Sequence, residues 1–232
     1  MNKKIALSLI FFLLVMLSGG CGGGGGGGGS TAVTPGGSTA NTGNTNLDLG
    51  LGAMNGSTPN YDSAKVQLNQ VISNPAASAG DKTTAYSALG WASFKSSSGS
   101  SDIDAAIESF SGAVTASQNG GVPASSLSQA YFGMAAARIV KSSETSDTAQ
   151  ISEAISDMNS AGLSSVSSVY ADDKIKTSIT NEEARGYKAF LHYMRNGDND
   201  MKEFSDNLSK VSPNTDNRNA QLMYETLQNI SK

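Results

Sequence analysis

Residues 101–121, SDIDAAIESFSGAVTASQNGG, decide the fold. Ile103, Ala106, Ile107, Phe110 and Val114 recur at steps of three and four, so a single helical face collects the apolar side chains. Ser101 with Asp104 reads as a capping-box-like start, and Asn119-Gly120-Gly121 as a stop. The stretch predicts a helix that buries Phe110 at the centre of its apolar face.

The same periodicity extends in both directions. Thr58 can cap a first helix with Pro59 at its first position, ended by Asn74-Pro75. A second helix runs from about Asp81 to Ser97. A fourth follows Pro123, from about Ser125 to Lys141, and a fifth runs from near Ser146 to Gly162, a natural left-handed cap. Residues 163–179 are Ser-rich and less regular. Thr180 with Glu183 forms a capping box for a sixth helix, closed by Asn196-Gly197. The seventh carries Met201, Phe204, Leu208 and Val211 and stops at Pro213; the eighth carries Ala220, Met223, Leu227 and Ile230. No stretch alternates as a strand does, so the expected class is all-α.

A row of three apolar residues at offsets of four and seven repeats along these helices. Ala106, Phe110 and Ala113 form it, Ala154, Met158 and Ala161 repeat it, and Ala64, Leu68 and Val71 give a third copy. Phe204, Leu208 and Val211 are a degenerate fourth. Two of the rows follow a helix with a large residue before glycine: Leu89-Gly90, with Tyr86 ahead of it, and Phe132-Gly133. Over roughly residues 60–212 this resembles tetratricopeptide repeats, with a tight glycine contact in the first helix of each pair and an alanine–aromatic contact in the second. The resemblance implies an array of antiparallel helix hairpins, an α-solenoid whose first helices line a concave groove. On the corresponding stripe of the second helix stand Thr84, Ser87, Trp91, Phe94 and Lys95. Aligning Gly133 with Gly90 adds Leu127, Ala130, Met134, Ala137 and Arg138. Trp91, Phe94, Lys95, Met134 and Arg138 are therefore the candidate partner-binding residues, suited to an extended peptide or a partner's helix. The alternative is that Trp91 and Phe94 are core.

Upstream the composition changes. Lys3 and Lys4 precede an apolar run from Ile5 to Leu17, then Ser18-Gly19-Gly20, then Cys21, the only cysteine in the chain, and eight glycines. As a helix the run spans roughly 20 Å, short of the ~30 Å hydrocarbon core, so it reads as an export signal over residues 1–20. Its position resembles that of the lipid-bearing cysteine of bacterial lipoproteins, which implies a diacylglycerol thioether at Cys21 and a stable membrane anchor. Gly22, where inner-membrane lipoproteins carry Asp, favours the outer membrane. Residues 21–57 are mostly Gly, Ser, Thr and Asn and predict a disordered tether, with residues 58–232 as the helical domain. A short docking strand at Leu47, Leu49 and Leu51 is the rival reading of that segment.

Catalytic and metal-binding patterns do not stand out. The one histidine, His192, falls about 140° from the apolar face of Tyr187, Phe190, Leu191 and Met194, and reads as solvent-facing. Asp198-Asn199-Asp200 reads as helix capping and Asp172-Asp173 as a solvated turn. Without Lys3 and Lys4 the mature chain carries 14 basic and 20 acidic side chains, a charge of −6, with no basic patch, which argues against nucleic acid as a partner. The expectation is a lipid-anchored, non-catalytic envelope protein without cofactor or metal, binding a protein or peptide. The alternatives are a solute-binding accessory of a transport system and a structural envelope protein.

Overall fold

In the computed structural model, which describes residues 42–145, 147–165, 179–196, 199–212 and 218–230, the fold is all-α. The described residues form nine α-helices: α1 (Thr42–Asn55), α2 (Tyr61–Ser73), α3 (Ala79–Lys95), α4 (Ser100–Gly120), α5 (Ser128–Thr145), α6 (Thr148–Met158), α7 (Asn181–Arg195), α8 (Asp200–Leu208) and α9 (Arg218–Ile230). A 3₁₀ turn, Ala124–Leu127, leads into α5, and a π turn, Asn159–Leu163, ends α6.

Several ends follow from local chemistry. At α7 the Thr180 backbone N–H donates to Glu183 at 2.7 Å while the Glu183 N–H donates to the Thr180 hydroxyl at 3.2 Å, the expected capping box. Asn196 closes α7 in the left-handed region at φ 51°, and Gly162 takes φ 98° as the chain leaves the π turn. Other ends differ from the sequence reading. The cap of α2 is Asn60, not Thr58: its side-chain oxygen accepts from the Ser63 N–H, and its backbone N–H donates to the Ala53 carbonyl of α1. The cap position of α4 is Gly99, and Asp102 rather than Asp104 gathers the preceding Ser98 N–H at 2.8 Å. Asp104 reaches instead to Lys141 of α5, at 2.7 Å. At α6 the capping side chain is that of Asp147.

The larger correction concerns the tether. Residues 42–55 are helical, neither coil nor strand, and Leu47 and Met54 are buried in the core. Leu47, Gly50 and Met54 lie three and four residues apart on the face toward α2, and a Cβ at Gly50 would fall 2.9 Å from the Leu68 side chain. Gly50, which lowers the helix propensity of the segment, is what lets it pack this closely. The packed body thus begins by residue 42 rather than 58. Residues 1–41, including the expected signal and Cys21, lie outside the described residues, as do Asp172, Asp173 and Pro213.

Each helix up to α8 packs on its neighbour in sequence; α1 also meets α3, α3 meets α5, and α9 meets α7. The predicted rows are the contact rows: Ala64, Leu68 and Val71, Ala106, Phe110 and Ala113, and Ala154, Met158 and Ala161 are all buried. Phe110 is the clearest case. A Cβ at Gly90 of α3 or at Gly133 of α5 would fall 2.6 Å from its Cε1, so the ring lies between two helices that only glycine lets approach. Trp91 meets it edge-on with centroids 5.7 Å apart. In the last rows Phe204, Leu208 and Val211 are buried, whereas Met201 is exposed.

Candidate functional site

The stripe that the sequence singles out for a partner is occupied by the protein itself. Trp91, Phe94 and Met134 are buried. The Trp91 ring stacks on Phe132 of α5 at 6.4 Å, meets Phe94 edge-on at 6.0 Å, and its indole N–H donates to the Gln129 carbonyl at 3.2 Å. Lys95 is half-buried at the C-terminal end of α3. The expected groove is therefore where α3, α4 and α5 pack together. A helix contact needs the same large side chains beside a glycine as a ligand groove does, so residue type alone did not separate the two.

Arg138 shares this fate and heads a polar cluster between α5 and α6. Its Nε donates to Asp157 at 2.8 Å and its Nη1 to Gln150 at 3.2 Å and to Glu153. Asp157 is largely desolvated, and burial pushes its carboxyl up to about 6 although Arg138 draws it down; Glu153 adds to the rise.

The densest group of buried charge was missed by sequence reasoning. Arg185, Lys188, His192 and Arg195 follow at steps of three, four and three on α7, a second face opposite the apolar one. That face is covered as well: Arg185, Lys188 and His192 are all buried, which corrects the solvent-facing reading of His192. Arg185 donates to the Asn207 side-chain oxygen of α8 at 3.0 Å and to the Ser165 carbonyl at 2.8 Å. Lys188 donates to the Asn159 side-chain oxygen at 2.9 Å and to the Leu163 carbonyl, gathering the end of α6. Burial holds both the Arg185 and Lys188 groups below their ordinary values. The signal available in the sequence was the spacing of the four basic residues; what it lacked was the return of α8 across them.

Asp200 opens α8, but it is no solvated cap: at 1% exposure it is among the most buried polar residues. It accepts from His192 Nδ1–H at 2.8 Å, from Arg195 Nε at 3.0 Å to each oxygen, and from Arg195 Nη2 at 2.6 Å. His192 Nε2, on the other side of the ring, is buried and has no hydrogen-bond partner among the described residues. A His–Asp pair orients an imidazole as a general base requires. Here no hydroxyl or thiol of the described residues hydrogen-bonds to Nε2, and the nitrogen is buried.

Among the described residues no group of three or more His, Cys, Asp or Glu side chains could hold a metal ion, and no helix is long and apolar enough to cross a membrane. No protein family, curated protein or solved structure matches the chain.

Proposed function

We propose that this chain is a lipid-anchored, non-catalytic protein of the bacterial cell envelope, the outer membrane favoured, whose helices form a hairpin-repeat array that binds a protein or peptide. The observation that carries the reading is a recurring glycine. Gly50, Gly90, Gly133 and Gly186 sit on α1, α3, α5 and α7, each where a Cβ would collide with a side chain of another helix: Leu68, Phe110, Phe110 again and Met223. The odd-numbered helices also follow one another in space. α1 meets α3, Trp91 of α3 stacks on Phe132 of α5, Phe132 meets Tyr187 of α7 with centroids 5.6 Å apart, and Gly186 of α7 faces Met223 of α9. An array of four hairpins, α1–α2, α3–α4, α5–α6 and α7–α8, followed by α9 packed on α7, is consistent with these contacts, and α1 would supply the first helix that the sequence reading lacked. Repeat stacking of this kind builds extended surfaces suited to polypeptide partners. The anchor rests on the export signal and on Cys21 at its end.

The test has two parts. Metabolic labelling with a fatty acid should mark the wild type and not Cys21→Ser; equal label on both would remove the anchor from the proposal. Crosslinking in intact cells should give a discrete adduct with an envelope protein that Phe110→Ala, which disrupts the array, does not give. No adduct, or the same adduct from Phe110→Ala at a temperature where that variant has melted, would overturn the binding role.

A further inference from the structure

The junction of α7 and α8 is closed by polar groups at both ends. Asn207 holds Arg185 at one end, Asp200 holds His192 and Arg195 at the other, and Tyr193, beside His192, meets Phe204 with centroids 5.9 Å apart. Asp200 is fully engaged, since Arg195 already takes both of its oxygens. Because the carboxylate accepts, the imidazole proton sits on Nδ1, and Nε2 is left as a buried nitrogen without a hydrogen-bond partner among the described residues. A neutral ring tolerates this. A second proton would create a buried N–H donor with no acceptor, beside two cations of the same helix.

We propose that His192 is an acid-sensitive latch that holds α8 on α7: the neutral ring closes the hairpin, and protonation releases it. The charges around the ring are unbalanced in the required sense. Lys188 and Arg195 of α7 oppose a proton on it, and Asp200 of α8 favours one. Glu203, also on α8, acts on Lys188 and Arg195. From α6 and its π turn come only the neutral Asn159 side chain and Leu163 carbonyl, both engaged by Lys188. Asp157 of α6 turns to Arg138 of α5, and Glu225 of α9 is exposed. Burial is the largest influence on the ring and, with the two cations, outweighs Asp200, so its pKa lies below the ordinary 6.5. Opening the hairpin restores the ordinary value and takes up a proton. The latch is therefore intact above pH 6.5 and weakens as pH falls toward the ring's own midpoint.

His192 is the only histidine, so its ring signals in the NMR spectrum of the full chain need no assignment by mutation. They should titrate with a midpoint below 6.5. Amide protection factors of α7 and α8 should drop between pH 7 and pH 5, by up to tenfold for each unit between 6.5 and that midpoint, while those of α3 and α4 stay level. His192→Gln, which cannot take up a proton, should abolish the pH dependence, and Asp157→Asn should leave it in place. A ring midpoint at or above 6.5, or α7 and α8 amides that track those of α3 and α4, would overturn the latch even if His192→Gln fails to fold.

Discussion

At Phe110 one ring serves three helices. It is fully buried on α4 and lies against the bare backbone of Gly90 on α3 and Gly133 on α5. Phe110→Ala should destabilise the domain by about 3–5 kcal/mol, the range for emptying an aromatic site in a core. Gly133→Ala should cost about 1–3 kcal/mol, because the added methyl meets a ring that has nowhere to go, which outweighs the better helix propensity of alanine. Combined, the two should be far from additive: with the ring gone, the methyl at 133 falls into open space. Denaturant titration of the two single variants and the double variant measures this, and strict additivity would show that the ring and Gly133 do not touch. Asp157 adds a prediction in pH. Its folded carboxyl is raised from 3.8 to about 6, chiefly by burial, so the folded chain holds a proton there that the unfolded chain has given up. The contribution of Asp157 to stability is thus fully present below pH 3.8 and lost as pH rises through 6. Asp157→Asn, neutral throughout, should gain melting temperature relative to the wild type between pH 5 and pH 7; a constant difference across that range would show that the carboxyl is not desolvated.

At the level of elements, α1 separates the two readings of the Gly- and Asn-rich segment. If it belongs to the array, a chain starting at residue 42 should melt like the full chain, and one starting at 58 should not. Losing the burial of Leu47 and Met54 removes about 3–6 kcal/mol. That corresponds to a fall of roughly 10 °C or more in a domain of this size. Equal melting temperatures by calorimetry would return α1 to the tether. The helix was hard to see in the sequence because nothing inside it favours a helix strongly: its apolar residues are few and its glycines are penalised. Its stability comes from Leu68 and the rest of α2, which no window over residues 42–55 contains. By contrast, α4 and α7 were legible, since their periodicity and the Thr180–Glu183 box are local.

Over the whole molecule, the sequence by itself determined that the chain is helical, where most helices lie, and which rows of small and large residues meet. Period and capping depend on residues within a turn or two of one another, so they are written locally. It also set apart the leading segment with Cys21 from the rest of the chain. Tertiary structure alone decided which faces are covered. A stripe carrying Trp91, Phe94 and Met134 serves equally as groove or as core, and the close approach of α3, α4 and α5 around Phe110 made it core. A histidine opposite an apolar face is exposed unless another helix returns over it, and α8 brings Asp200 back across His192. In each case the deciding partner lies on a different helix, and burial is a property of the pair rather than of either residue's neighbours in the chain.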